Sequence, residues 1–320
     1  MKILVTGASG FVGSNLLPEL SSHDLSIVVR TPNEQLKDYN QIIYGSDLEK
    51  FEVEIFSFGP EIVIHLAAYL SSSDDMMTIK NIIESNILFT SHLLASLKRV
   101  QLKLFVNTGT FAEYHYNDGV SNPSYFYSAS KIAVRPIIKY FKNICGFKSI
   151  NVIPYTIYGG KSKNKKVVDL MIDSTGLSCL IDMTDGEQVL DFIHISDVVD
   201  FYVHAISNIK SLRDNGDYFL GTGTGTSLRA LANLIEVQLG KKANINWGAK
   251  DYREFDIMKA VAPIDNLKTE FSTQFNVQYV LSREQNEATL FGRIDPGNIN
   301  FVVKNKFKNI SFDKAFLCGP

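Results

Sequence analysis

The chain has 320 residues, 45% apolar and 21% charged, and its 32 Lys and Arg nearly balance its 34 Asp and Glu. That composition is ordinary for a globular protein and excludes long disordered, collagen-like or coiled-coil stretches. A net charge of −2 excludes the chain-wide basic surface that binds nucleic acid, and the length predicts one large or two modest domains.

Residues 2–6 (KILVT) read as a buried strand, followed by GASGFVG and a helical stretch with Val12, Leu16, Leu17 and Leu20 on one side. Pro18 within that stretch predicts a short or bent helix. Strands follow at Leu25–Val29 and Gln41–Tyr44, a weak helix at Leu48–Phe56 and a strand at Ile62–Leu66. Met76–Arg99 reads as one long helix, with Ile79, Ile82, Ile83, Ile87, Leu93, Leu94 and Leu97 at helical spacing. Leu102–Val106 is a fifth strand, Tyr127–Cys145 a helix and Lys148–Ile153 a sixth strand. Short apolar strands alternating with helices predict an α/β fold, a Rossmann-like doubly wound parallel sheet covered on both faces.

Beyond about residue 154 the alternation weakens. Helices are expected at Asp197–Ile206 and Leu228–Leu239, and strands at Val189–Ile193, Tyr218–Leu220 and Ala243–Asn246. The expected division is a dinucleotide-binding domain over 1–155, rejoined by about 194–220, and a smaller α/β substrate domain over most of 156–320. The tail after about residue 280 lacks periodicity and is assigned no role.

Three cysteines (Cys145, Cys179, Cys318) without a CxxC pair supply neither a disulfide framework nor a metal site, which fits a reducing compartment. Cys145 and Cys179 read as core residues. The first apolar run, Ile3–Val5, is too short for a signal-peptide core, and no run reaches the ~18–20 residues of a membrane span. A cytoplasmic protein with no membrane partner is the expectation.

Thr6-Gly7-Ala8-Ser9-Gly10-Phe11-Val12-Gly13 sits at the first strand–helix junction. There Gly7 permits a tight turn, Gly10 a close backbone approach to a pyrophosphate, and Gly13 close packing of helix on strand. The free N–H groups and dipole of the helix N-terminus favour the anion. Dinucleotide sites for NAD place Asp or Glu at the end of the second strand to bind the ribose hydroxyls. This chain has Arg30 there, and a guanidinium pairs with the 2′-phosphate of NADP. NADP(H) is therefore the preferred cofactor, with NAD(H) the alternative. Asp47 in GSDL is placed either at the adenine edge or in a solvated loop.

Tyr127 and Lys131 in YSASK share one helix face at i and i+4. A phenol is a weak acid–base group at neutral pH, and a neighbouring ammonium lowers its pKa. Thr108 and Thr110 close the fifth strand in FVNTGT, at the sheet edge where open α/β folds bind ligands. Either hydroxyl can bond a reacting carbonyl oxygen or satisfy the local backbone.

In order along the chain, TGASGFVG, His65-Leu66-Ala67-Ala68, Asn86 in NILFT, the strand end NTGT and YSASK resemble the extended short-chain dehydrogenase/reductase family, from Met1 to roughly Phe271. The resemblance implies a C-terminal domain for a nucleotide-sugar and a catalytic set on Thr110, Tyr127 and Lys131. It implies a cofactor set of Thr6, Gly7, Gly10, Phe11, Val12, Gly13, Arg30, Asp47, Leu48, Leu66, Ala67, Ala68, Asn86, Thr108, Tyr127, Lys131 and Pro154. For the substrate it implies Tyr69, Thr110, Phe111, Tyr127 and Arg253. It also implies a homodimer built on the helix of Met76–Arg99 and the helix beginning at Tyr127. More narrowly, NTGT, DGEQVLDFIHISDVV, GTGTGTSLRAL and WGAKDYREFDIM are similar to bacterial nucleotide-sugar 4-ketoreductases of surface-polysaccharide (O-antigen) synthesis, the group of the CDP-abequose and CDP-paratose synthases and the dTDP-4-keto-6-deoxyglucose reductases.

A 4,6-dehydratase of this family carries Thr-Asp-Glu at the strand end, because elimination needs an added acid and base; this chain has Thr110-Phe111-Ala112. NADPH-dependent ketoreduction is the leading expectation. An NAD-retaining 4-epimerase and a non-catalytic dinucleotide sensor are the alternatives. Arg253 in DYREFD is the diphosphate candidate, His194 reads as a packed histidine or a pocket group, and the run Lys161–Lys166 as a solvated loop or an anion attractor. Three positions depart from the pattern of the family it resembles: Ile153 replaces a usual arginine, Gly160 a usual proline, and Leu190 a frequent arginine. Ser227 is expected to cap the helix after the second glycine cluster, Gly221–Gly225.

Overall fold

Near-continuous burial along the central strands, with alternate residues entering opposite cores, builds a sheet whose faces are both covered. The computed structural model describes residues 1–160, 165–264, 280, 281, 290 and 291. Strands β1 (Lys2–Thr6), β2 (Asp24–Val29), β3 (Asn40–Ile43), β4 (Ile62–His65), β5 (Leu104–Thr108) and β6 (Lys148–Pro154) alternate with helices α1 (Phe11–Leu16), α2 (Leu48–Phe58), α3 (Met76–Ile82), α4 (Phe89–Ser96) and α5 (Phe126–Cys145). The chain continues through β7 (Thr156–Tyr158), α6 (Val167–Ser174), β8 (Ile181–Met183), β9 (Val189–His194), α7 (Ile195–Ser207), β10 (Gly216–Leu220), β11 (Gly225–Ser227), α8 (Leu228–Leu239), β12 (Ile245–Trp247) and β13 (Lys259–Ala260).

Seven strands pair in the order β10-β6-β5-β4-β1-β2-β3, every neighbour parallel. This is the Rossmann-like sheet that the alternation predicts. Ile3 and Val5 face one core with Ile62, Ile64, Leu104 and Val106, packed against α7. Leu4, Val63 and Phe105 face the other core, under α2, α4 and α5. Chain direction reverses its order in the sheet between β1 and β4, and a crevice forms at such a switch point. Thr6 aligns with His65, His65 with Asn107, and Thr108 with Val152, so the carboxyl ends of the central strands lie level there.

Pro18 ends α1 early: the chain tightens into a 3-10 turn over Leu17–Leu20. The Met76–Arg99 stretch departs from the expected single helix. A π-turn over Ile83–Leu88 separates α3 from α4, and its extra residue rotates the helix faces. Ile83 is consequently exposed, while Asn86 turns inward and is buried. Strand β7, helix α6 and strands β8, β11 and β13 escape sequence reading, because two- or three-residue strands are too short to show a period. Cys179 is exposed and Cys145 half-buried, a correction to their reading as core. The apolar run around Cys179 lies on the surface, with Leu180 62% exposed. Cys318 and Lys161–Asn164 lie outside the described residues, as does the tail after residue 264 apart from the parallel strand pair Val280–Leu281 and Leu290–Phe291.

Met1–Ala262 forms one compact unit. Within it β9 is flanked by β7, β11 and β13, and Val168, Met171, Leu228, Ala232 and Ile235 make a small core between α6 and α8. Ser227 caps α8 by accepting the Ala230 N–H at 3.1 Å. Asp191, fully buried on β9, organises this region. Its carboxylate accepts from Thr222 N (2.8 Å), Thr222 Oγ1 (2.7 Å), Gly223 N (2.7 Å) and Ala262 N (3.1 Å). A Cβ on Gly221 would sit 2.6 Å from Asp191 Oδ2, so glycine is required there. Asp191→Ala strands three buried N–H groups, and the expected loss is roughly 3 kcal/mol or more. Chemical denaturation checks this: the midpoint falls well below that of the unaltered protein.

Candidate active site at the carboxyl edge of the sheet

The first glycine cluster forms a turn closed to side chains. Gly7 has φ +71°, and a Cβ on it would lie 2.6 Å from Ala67 N. A Cβ on Gly13 would lie 2.4 Å from Gly7 O. Gly10 caps α1 in extended conformation and donates its N–H to Gly7 O at 2.9 Å. The first-turn N–H groups of Phe11, Val12 and Gly13 have no partner within the helix and present donors for an anion. Leu66 and Ala67 back the turn, half-buried, and Ala68 is exposed. These residues fit a dinucleotide diphosphate.

A buried hydrogen-bond chain runs from this turn to α5. Thr90 Oγ1 donates to Asn86 O at 2.6 Å, so its contact with His65 Nε2 at 2.9 Å requires a proton on Nε2. His65 Nδ1 then accepts from Thr6 Oγ1 at 2.8 Å, and Thr6 Oγ1 accepts from Ala67 N at 3.1 Å. A neutral histidine satisfies both ends. Burial, together with the Lys131 charge, pulls the His65 pKa down to about 3. The Asn86 side chain accepts Tyr69 N–H at 2.7 Å and donates to Ser130 Oγ at 2.9 Å; Ser130 Oγ donates to Tyr127 O at 2.6 Å. Sequence reading singled out Asn86 and missed His65, Thr90 and Ser130 as its partners.

At the end of β5 the two threonines part. Thr108 Oγ1 lies 2.7 Å from Tyr202 OH of α7, so its hydroxyl serves the packing. Thr110 caps a 3-10 turn over Phe111–Glu113, accepting Ala112 N–H at 3.3 Å. Its own O–H proton is left to donate. Tyr127 and Lys131 open α5 and are both buried. Burial drives the Tyr127 phenol well above its usual range, with Tyr125 and Glu113 adding to the shift. This corrects the expectation that Lys131 lowers it: desolvation wins, and Lys131 is itself pulled down to about 8 by burial.

Two charged residues that sequence reading missed lie against this set. Glu113, fully buried, pairs with Arg135 of α5 at 2.6 Å. The pattern Thr110-x-x-Glu113 is a capping box, the one sequence signal that marks Glu113. On the open side, Phe111 stacks on Tyr155 with centroids 5.6 Å apart, and exposed Arg253 acts electrostatically on Tyr125, the neighbour of Tyr127. Arg30, past β2, is exposed, and no ion pair engages it among the described residues. Asp47 caps α2 through Lys50 N at 2.9 Å beside exposed Leu48. Pro154 ends β6, half-buried. His194 caps α7 and packs on Tyr158. Gly159 (φ +80°) and Gly160 (φ +64°) turn left-handed, a conformation closed to the family's proline.

His65 stabilises the fold only while neutral. Its unfolded pKa is near 6.5 and its folded value about 3, so below about pH 6.5 the unfolded chain takes a proton the folded chain refuses. Stability should fall by up to about 1.4 kcal/mol per pH unit on acidification through that window. Denaturant midpoints measured across it check this, and His65→Gln should flatten the slope.

With this geometry established, comparison with known proteins is informative. Residues 3–221 match the model of the NAD dependent epimerase/dehydratase family. The chain is 28% identical over 277 residues to a CDP-abequose synthase of Salmonella typhimurium, covering 83% of this chain and 91% of that one. It is 23% identical to a UDP-glucose 4-epimerase of Rhizobium meliloti, covering 83% and 90%. A Thermus thermophilus UDP-glucose 4-epimerase solved in complex with NAD shares the fold, with a TM-score of 0.71, 21% identity and coverage of 87% and 95%. The glycine turn, the seven-stranded parallel sheet and a family match over more than two thirds of the chain lead to one conclusion: this protein belongs to the NAD dependent epimerase/dehydratase family.

Proposed function

We propose that this protein uses NADPH to reduce the C4 ketone of a nucleotide-linked 4-keto-6-deoxyhexose, CDP- or dTDP-linked, in surface-polysaccharide (O-antigen) synthesis. The observation that carries the reading is Arg30. It stands exposed where an NAD site places a carboxylate, and its guanidinium suits a 2′-phosphate. Similarity to CDP-abequose synthase over most of both chains supports the same choice.

Thr6–Gly13, Leu66–Ala68, Asn86 and Pro154 border the cofactor, which when bound supplies a hydride to C4. Tyr127 gives its proton to the C4 oxygen as the ketone becomes an alcohol, and solvent reprotonates the phenolate. A phenol held above its usual pKa is neutral at the start, as a proton donor must be. Thr110 donates a hydrogen bond to the same oxygen, and the Lys131 ammonium stabilises the phenolate. Arg253 takes the diphosphate, with Tyr69 and Phe111 beside the sugar. Ala112 is buried and Glu113 ion-paired, which leaves no acid–base pair for dehydration. Exposed Met76, Met77, Ile83 and Leu88 with Tyr140 and Ile144 form the apolar face of a homodimer.

Tyr127→Phe should lower turnover by about 10²–10⁴-fold while NADPH still binds. Loss of reduced-nicotinamide absorbance with CDP- and dTDP-linked 4-keto sugars measures it, and unchanged turnover would falsify the mechanism. Arg30→Asp should shift the NADPH-over-NADH preference toward NADH by roughly tenfold or more, read from KM for each cofactor. The UDP-glucose 4-epimerase relatives favour a second reading, an NAD-retaining 4-epimerase. Mass analysis of cofactor released from purified protein separates the two: bound NAD with no NADPH consumption selects the epimerase.

A further inference from the structure

Glu113 is a carboxylate in the interior, directly beneath the candidate site. It is fully buried, and both its oxygens are committed. Oε1 accepts the N–H of Thr110 at 2.9 Å. Oε2 lies 2.6 Å from Arg135 Nη2, an ion-pair contact off the hydrogen-bond line. Arg135 is one helical turn beyond Lys131 on the same face of α5, and the Glu113 charge acts on both cations. Arg135 is anchored from the far side by Asp217 Oδ2 at 3.0 Å. Asp217 in turn ends a polar ladder across three strands: Asn107 donates to Asn151 at 3.0 Å, and Asn151 to Asp217 at 2.9 Å.

The backbone is shaped around this carboxylate. A Cβ on Gly109 would lie 2.5 Å from Glu113 Oε1 and 3.3 Å from Ile153 Cγ1. Ile153 is apolar, and the cation paired with this carboxylate, Arg135, comes from α5. Burying an ion pair costs desolvation energy that a well-packed apolar pair avoids. A buried carboxylate that holds the Thr110 backbone and pairs with Arg135, one helical turn beyond Lys131, calls for a role besides packing.

We propose that Glu113 is a positioning residue, whose carboxylate holds Thr110 by its N–H and supplies the counter-charge that keeps Lys131 an ammonium. The proposal rests on the reductase reading for its consequence in turnover, but not for its effect on Lys131. The charges that act on Lys131 are Glu113 of the 3-10 turn and Arg135 of α5, and Lys131 in turn acts on His65 of β4; Asp217 on β10 and Tyr114 contact Arg135. His65 is neutral throughout the working range. Glu113 is the group that raises the lysine, against burial and the repulsion of Arg135.

The test compares Glu113→Gln, which keeps the shape and an acceptor for Thr110, with Arg135→Gln, which removes the repelling cation. Protein labelled with [6-¹³C]lysine reports the Lys131 titration, its resonance identified by its absence in Lys131→Met. In Glu113→Gln the titration should move down by about one pH unit, and in Arg135→Gln it should move up. General loosening of the fold cannot produce opposite signs. In turnover, the alkaline limb of kcat should follow the lysine to lower pH in Glu113→Gln, with KM for NADPH changed less than about threefold. A Lys131 titration that is the same in folded Glu113→Gln as in the unaltered protein overturns the proposal, as do shifts of the same sign in both variants. If the unaltered protein turns over no 4-keto sugar while the two titrations still diverge, the reductase reading fails and the role of Glu113 stands.

Discussion

The hydrogen-bond chain Thr6–His65–Thr90–Asn86–Ser130 is the constraint on which the candidate site depends. It closes only if His65 is neutral and protonated on Nε2, because Thr90 spends its proton on the Asn86 carbonyl. Through it the glycine turn after β1, the end of β4, the π-turn before α4 and the catalytic end of α5 are held in one register. Every link is buried, so a broken link strands a polar atom rather than exchanging it for water. The π-turn is part of this device. A regular helix would carry Asn86 away from Tyr69 and Ser130, and its extra residue turns that side chain inward.

A second polar system lies beneath the reacting edge, and it is ionic. Tyr127, Lys131 and Arg135 descend one face of α5, and Glu113 rises from the turn after β5 to pair with Arg135. Desolvation acts on all of them, but in opposite senses. It holds the phenol neutral and weakens the lysine's grip on its proton. A carboxylate among these groups restores charge balance where water cannot. Asp191 plays the comparable part around β9, where one carboxylate gathers the backbone of two loops.

Much of this was legible in the chain. The alternation of short apolar strands with helices requires a parallel sheet, since each strand is buried on both faces. The glycines at 7, 10 and 13 marked a tight strand-to-helix turn, and at Gly7 and Gly13 no side chain fits. The spacing of Tyr127 and Lys131 placed them on one helix face. Where reading failed, the reason was physical. The π-turn has no signature in a pattern of isoleucines that suits an unbroken helix equally well. Strands of three residues around β9 show no period. The direction of the Tyr127 shift was misjudged because a neighbouring charge is visible in sequence and desolvation is not. Local sequence allowed either Thr108 or Thr110 to bond a reacting oxygen, and the family resemblance favoured Thr110; in the fold Thr108 is engaged by Tyr202, ninety-four residues away.

The sequence by itself determined the class of fold, the glycine turn after β1 and the residue types at the carboxyl edge of the sheet, because local sterics and spacing dictate these. Only the tertiary structure decided which polar groups are buried together. It aimed Asn86 inward, committed Thr108 to Tyr202 and left Thr110 a free proton. It also set Glu113 against Arg135, which the sequence shows merely as a member of a helix. Burial and long-range pairing set the protonation of these groups, and neither is encoded within a window of neighbouring residues.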